Sequence, residues 1–290
     1  MAVATATRPV LVVGAGTMGS GIAQVFAASG RTVLLSDADD AGLTRGLGAI
    51  EKSLERLVKK GALAADAKRS TLDRIRPGAP SAGALAECAV AVEAVPEQIE
   101  LKRSVFRDLD AKLPPDAILA TNTSSISITE LAAATRRAPR VIGMHFMNPV
   151  PLMALVEIVR GLETSEATVR ETAELSTALG KTPVVVADMP GFVSNRILMP
   201  MINEAATTLM EGVATREAID TVMKLGMNHP MGPLALGDLI GIDVCLDIME
   251  VLHRGFADSK YRPCPLLRQM VAAGRLGRKT GRGFYEYPPA

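Results

Sequence analysis

The chain has 290 residues, 48% of them apolar and 22% charged, with a formal net charge of +1. That balance suits a globular protein with room for two domains, and it provides no overall field for nucleic acid or an anionic membrane. Three scattered cysteines without CxxC spacing argue against a disulfide framework or a structural zinc site, no run approaches the ~20 apolar residues of a membrane span, and the first residues lack a signal-peptide pattern, so a cytoplasmic setting is expected.

Pro9 to Val13 opens a continuous apolar run, the pattern of a parallel strand buried on both faces. It leads directly into Gly14-Ala15-Gly16-Thr17-Met18-Gly19 and a helix that ends near Gly30. A second strand, Thr32 to Leu35, leads to Asp37, 23 residues after Gly14. In this pattern the first glycine permits the tight turn and the second lets the backbone approach a pyrophosphate. The third brings the helix close to the strand, and the acid receives the adenosine ribose. Dinucleotide binding is therefore predicted, and a carboxylate at Asp37 repels a 2′-phosphate, which favours NAD over NADP.

Ala41 to Lys60 carries an apolar stripe at helical spacing, with Ser53, Arg56 and Lys60 together on another face. A shorter helix is expected over Asp66 to Arg74, then a loop from Pro77 to Gly83. Ala89 to Val95 reads as a buried strand with Glu93 inside it, and Pro96-Glu97 opens a helix to about Leu113. The strand Ala117 to Ala120 ends in Thr121-Asn122-Thr123-Ser124-Ser125, hydroxyls and an amide at a strand's carboxyl end, where open α/β sheets bind ligands. Ser127 is placed to cap a helix over Ile128 to Ala134.

Val141 to Val159 reads as strand, proline-broken turn and strand, and His145 and Glu157 are its only readily titrating side chains. A His–Glu pair in apolar surroundings is one way to build a general base that works near neutral pH; a satisfied core histidine is the plainer alternative. Three strand ends delivering the glycine loop, the serine cluster and His145 to one rim favour the active-site reading. A helix over Glu163 to Leu179 and the strand Thr182 to Ala187 close this domain, and Asp188 to Gly191 reads as a hinge.

The strand pattern then stops. Helices are expected over Phe192 to Met210, with Pro200 inside, from Thr215 to Gly226, from Pro233, over Asp243 to Gly255, and from Pro265 to Gly274. The tail Arg278 to Tyr287 is basic, glycine-rich and aromatic, either a solvated end or a flap that returns to the cofactor. The fold class expected is α/β: a Rossmann-like, mostly parallel sheet domain over 1–187, then a smaller all-helical domain over 188–290.

These motifs resemble the 3-hydroxyacyl-CoA dehydrogenases, and among them the short bacterial 3-hydroxybutyryl-CoA members. The resemblance is carried by GAGTMGSGIA from Gly14, EAVPE from Glu93, TNTSS from Thr121, GMHFMNPVPLMALVE from Gly143, PGFVSNR from Pro190, HPMGPLALGDLIGID from His229 and GRKTGRGFYEY from Gly277. It covers nearly the whole chain. It implies that His145 is the catalytic base and Glu157 its partner, with Ser124 and Asn195 positioning the substrate's 3-oxygen. Asp37, Glu97, Lys102, Asn148 and Lys279 would contact the cofactor, and Ser53 and Lys60 the CoA moiety. It further implies NAD as cofactor, an acyl-CoA substrate and a homodimer joined through the C-terminal helical domain. A dehydrogenase of the same architecture acting on a sugar acid, and a non-catalytic NAD sensor, stay open as alternatives.

Overall fold

The computed structural model describes residues 8–288. The chain forms two compact units, one ending at Asp188 and one beginning at Met189.

The first unit is built on eight strands. They are β1 (Val10–Val13), β2 (Val33–Ser36), β3 (Ile75–Pro77), β4 (Val90–Glu93), β5 (Ile118–Thr121), β6 (Val141–Phe146), β7 (Leu155–Arg160) and β8 (Thr182–Ala187). Their order in the sheet is β3-β2-β1-β4-β5-β6-β7-β8. Every neighbouring pair is parallel except β6 and β7, which are antiparallel. Seven of the helices belong to this unit: α1 (Thr17–Ala28), α2 (Asp40–Lys59), α3 (Ala65–Asp73), α4 (Ala82–Ala86), α5 (Ile99–Lys112), α6 (Ile128–Ala132) and α7 (Glu166–Ala178).

The central strands are short and rich in valine and leucine because both faces of a parallel sheet are covered. Val10, Val12, Leu35 and Val92 from the sheet share one core with Ile22 and Phe26 of α1. Burying each such side chain contributes roughly 1.5–3 kcal/mol. Serine or aspartate starts several helices where a free N–H needs an acceptor: Asp39 for α2, Ser127 for α6 and Ser165 for α7. Strand β3 and helix α4 border the stretch expected as a loop and take residues from it. Three residues ending in proline carry no readable alternation, and they form a strand because the exposed edge of β2 pairs with them.

The sheet fixes the rim by register. Val13 pairs with Glu93, Glu93 with Thr121, and Thr121 with Gly143, so four strands are in step along one row. The glycine loop, the EAVPE segment and the TNTSS segment all leave from that row.

The second unit is helical: α8 (Ser194–Met210), α9 (Arg216–Thr221), α10 (Pro233–Ile240), α11 (Ile242–Phe256) and α12 (Pro265–Ala272). Pro200 lies inside α8, and a π-helical turn, Val222–Gly226, follows α9. One apolar cluster gathers Ala206, Leu234, Ile242, Leu267 and Phe284; another gathers Met199, Ile202, Met249 and Leu252. The tail is a strap on this unit rather than a solvated end. Phe284 is buried in the first of these clusters, and Asp238 accepts the backbone N–H groups of Phe284 and Tyr285, each at 2.9 Å. Burial pushes the Asp238 carboxyl above its usual range against the pull of these donors. Among the described residues, no helix is long and apolar enough to cross a membrane.

Candidate active site

The first element of the site is the turn from β1 into α1. Gly14 has φ +98°, and a β-carbon there would stand 2.7 Å from the Ala94 carbonyl oxygen. At Gly19 a β-carbon would stand 1.7 Å from the Gly14 carbonyl oxygen. These two glycines are needed for packing within the protein. At Gly16 a β-carbon would meet nothing within 4 Å, so this stretch of backbone is open to a ligand. Helix α1 begins there with no side chain capping its N-terminal N–H groups. Asp37 follows the end of β2, and its Oδ2 accepts the Ala15 N–H at 2.6 Å. A cavity of about 310 Å³ opens beside it, lined by Gly16, Thr17, Asp37, Asp39 and Arg45 among others. Open backbone, an uncapped helix start and an adjacent carboxylate fit the pyrophosphate and adenosine ribose of a dinucleotide. Met18 packs against the core behind the turn.

The second element is a buried charge network at the ends of β4 and β5. Glu93 is fully buried. Its Oε1 accepts the Val95 N–H at 2.7 Å and the Lys102 Nζ at 2.6 Å, and its Oε2 accepts the Thr121 hydroxyl at 2.7 Å. Lys102, 1% exposed, also donates to the Val95 carbonyl at 3.2 Å and lies 3.3 Å from Glu97 Oε2. Glu97 then gathers the TNTSS segment. Its Oε1 accepts the Thr123 hydroxyl, the Ser124 N–H at 3.0 Å, the Ser125 N–H at 3.1 Å and the Ser125 hydroxyl at 3.0 Å. Burial alone would raise the Glu97 pKa, but the Lys102 ammonium and these donors hold it below the usual carboxylate range.

The third element is the pair His145 and Glu157. The antiparallel register sets them directly opposite each other, and side chains of such a pair share a face. Both are buried, and His145 Nδ1 lies 2.8 Å from Glu157 Oε2. An ionised carboxylate only accepts, so Nδ1 carries the proton in this contact and Nε2 of a neutral ring is the basic nitrogen. Asn122 ties this strand end to the serine cluster: its Oδ1 accepts the Phe146 N–H at 2.9 Å. The connecting turn, 147–154, is fastened from below by Lys181, whose Nζ donates to the carbonyls of Val150 at 2.6 Å and Met153 at 2.7 Å. Burial pulls the pKa of this lysine down. Asn148 sits exposed on that turn, and its peptide bond to Pro149 is cis.

Ser53 is half-buried on α2 and Lys60 is exposed just past its end. Asn195 lies in the first turn of α8, and Lys279 forms an ion pair with Asp243 at 2.6 Å, both within the second unit. Among the described residues, no group of three or more His, Cys, Asp or Glu side chains is arranged to hold a metal ion.

Residues 9–189 match the family model described as 3-hydroxyacyl-CoA dehydrogenase, NAD binding domain, and residues 191–287 match the model of its C-terminal domain. The chain belongs to the 3-hydroxyacyl-CoA dehydrogenase family. It is therefore an NAD-binding oxidoreductase acting on a CH–OH group. Its relatives include the probable 3-hydroxybutyryl-CoA dehydrogenase of Deinococcus radiodurans, 57% identical over 95% of this chain and 99% of that protein. The 3-hydroxybutyryl-CoA dehydrogenase of Bradyrhizobium diazoefficiens is 54% identical over 98% of this chain and 97% of that protein. The crystal structure of (S)-3-hydroxybutyryl-CoA dehydrogenase from Ralstonia eutropha superposes with a TM-score of 0.94 at 53% identity, covering 98% of this chain and all of that one.

In this dehydrogenase some working side chains escape motif reading. Glu93 opens the EAVPE motif, but its pairing with Lys102 is not written there; a buried carboxylate demands a partner, and that demand points toward a cation such as Lys102. Lys181 leaves no signal beyond being a lysine beside a buried strand. Asp188 is expected in a hinge; its carboxylate accepts the Ser127 hydroxyl and the N–H groups of Ile128 and Thr129, which fixes it at the start of α6.

Proposed function

We propose that this enzyme oxidises (S)-3-hydroxyacyl-CoA, with 3-hydroxybutyryl-CoA as its substrate, to the 3-ketoacyl-CoA and catalyses the reverse reaction. The observation that carries the reading is the buried His145–Glu157 contact beside the serine cluster, on a sheet whose opening turn fits a dinucleotide. His145 takes the proton of the 3-hydroxyl at Nε2. Glu157 keeps the ring in the tautomer that presents Nε2 as the base and stabilises the imidazolium that forms. Bound NAD⁺ supplies the hydride acceptor. Ser124 and Asn195 hold the 3-oxygen so that the proton leaves along a fixed direction. In the reverse direction the imidazolium returns the proton to the keto oxygen.

The cofactor assignments remain those of the motif match. Gly14, Gly16, Thr17, Met18 and Gly19 form the phosphate turn, Asp37 receives the ribose and disfavours NADP, and Glu97, Lys102, Asn148 and Lys279 complete the set. Ser53 and Lys60 are assigned to the CoA moiety. The names of the relatives support the C4 substrate. We further propose a homodimer joined through the second unit, whose Ile197, Val213, Val222, Leu225 and Met227 are exposed apolar side chains in need of cover. Three free, buried cysteines suit a reducing cytoplasm, and the proposed substrate class supports a role in fatty acid metabolism.

The test is kcat/KM with NADH and with NADPH across 3-ketoacyl-CoAs from C4 upward. Turnover of acetoacetyl-CoA with NADH in preference to NADPH is expected. Failure to oxidise NADH with any of these thioesters overturns the proposal, and sedimentation as a monomer overturns the dimer.

A further inference from the structure

We infer that Asp238 is a positioning residue for cofactor binding: it seats both ends of the bend that carries Lys279 and so presents that lysine to the dinucleotide. This rests on the reading of Lys279 as a cofactor contact and adds what holds it in place.

The bend is short and closed on itself. The Gly277 N–H donates to the Arg282 carbonyl at 2.9 Å, and the Arg282 N–H returns to the Gly277 carbonyl at 3.1 Å. Lys279 lies at the tip, in the single 3-10 turn Arg278–Thr280. The Thr280 hydroxyl fills the inside: it faces the carbonyls of Gly277 at 3.2 Å and Arg282 at 3.1 Å and accepts the Leu276 N–H at 3.1 Å. A bend tied this way keeps its own shape but must be fastened to something. Arg278, Lys279, Thr280 and Arg282 are exposed, so burial of their side chains does not fasten it. From 277 to 283 only the two end glycines are buried.

Both of those glycines lie against Asp238. A β-carbon at Gly277 would stand 2.3 Å from the Asp238 carbonyl oxygen, and one at Gly283 would stand 1.9 Å from its Oδ1. Asp238 is in α10 and is 1% exposed. Its carboxylate takes three donors from the chain just past the bend: the Phe284 N–H at 2.9 Å, the Tyr285 N–H at 2.9 Å and the Tyr287 hydroxyl at 3.0 Å. Hydrogen bonds to an ionised acceptor are the strong ones. At the tip, Lys279 Nζ donates to Asp243 Oδ2 at 2.6 Å, in the first turn of α11. Asp243 is its one hydrogen-bond partner among the described residues, so two of the three ammonium protons are left for a ligand. The Lys279 side chain is 46% exposed, which keeps it accessible. Asp238 thus sets where the lysine stands, and Asp243 sets where its ammonium points.

The test is a double-mutant cycle on the Kd for NADH, with hydrogen exchange of the 277–287 amides followed in the same proteins. Lys279→Ala is expected to weaken NADH binding about tenfold or more, the cost of losing a hydrogen bond from a charged group. Asp238→Asn should speed exchange in 277–287 and weaken NADH binding about threefold or more. The double variant should bind NADH as Lys279→Ala does, within about twofold, because the clamp has nothing left to present. If Asp238→Asn does not fold, Gly283→Ala takes its place in the cycle: its β-carbon pushes the strap off the carboxylate and leaves the charge intact. Losses that multiply in the double variant overturn the inference, since Asp238 would then reach the cofactor by another path. Faster exchange with unchanged NADH binding overturns it too, as the strap would be structural only, and so does unchanged exchange. If Lys279→Ala itself binds NADH as tightly as the wild type, the reading of Lys279 fails and the inference falls with it. If Lys279→Ala is weak and Asp238→Asn is not, only the inference fails.

Discussion

Two buried glutamates in one sheet have opposite partners. Glu157 in β7 meets an imidazole, and Glu93 at the end of β4 meets an ammonium. An imidazole keeps a second nitrogen that can accept a proton while the first donates to the carboxylate; an ammonium has donors only. On the proposed function, the same carboxylate chemistry serves proton transfer in one place and a buried salt bridge in the other. Placement differs too. Glu157 reaches His145 by register across an antiparallel pair, whereas Glu93 receives Lys102 from the helix that follows its own strand. A buried acid is thus understood from its partner, not from its burial.

The largest effect expected is on the salt-bridge side. Lys102→Met alone leaves a carboxylate buried without its cation, so it should lower stability by about 3–5 kcal/mol, seen as a fall in the urea midpoint. A midpoint close to wild type would mean that the Glu93–Lys102 bridge is not structural. On the reactive side, His145→Gln should keep NADH binding and lower kcat by about 10²-fold or more. Near-normal turnover would remove His145 as the base.

Glu157→Gln should have a smaller effect, roughly tenfold in kcat, and change the pH profile of turnover, because the carboxylate no longer favours the charged ring. An unchanged profile would break the pairing of roles. The smallest effect concerns Glu97. Its folded pKa lies below its unfolded value of about 4.3, so it stabilises the fold fully above that value and loses this contribution as pH falls through the folded pKa. Glu97→Gln should therefore flatten the acid limb of the stability curve while costing some stability at neutral pH. An acid limb as steep as wild type would show that Glu97 is not held by Lys102 and the loop donors.

Much of the first unit was legible in the chain. The strands that carry the rim could be found because runs such as Val10 to Val13 and Val141 to Phe146 are continuous and apolar, and because glycine, proline and hydroxyl residues punctuate them. The glycine turn was legible because its motif is local: its three glycines lie within six residues, although Ala94 also closes on Gly14. Strand β3 was not, since three residues hold no period and its existence depends on the neighbouring edge of β2. The tail of the second unit was ambiguous for a similar reason. Its fate depends on Asp238, 46 residues before Phe284.

What the sequence by itself determined is the class of fold, the dinucleotide turn and a short set of candidate groups that includes His145, Glu157 and Ser124. Backbone conformation and apolar period are local, so they are written into neighbouring residues. What only the tertiary structure decided is which groups meet. The antiparallel return of β7 set Glu157 opposite His145, and the packing of α5 on β4 enclosed Lys102 between Glu93 and Glu97. Lys181 found the carbonyls of the 147–154 turn in the same way. Such contacts depend on register and on the closing of elements far apart in the chain, and a one-residue slip in either strand would have turned His145 and Glu157 to opposite faces.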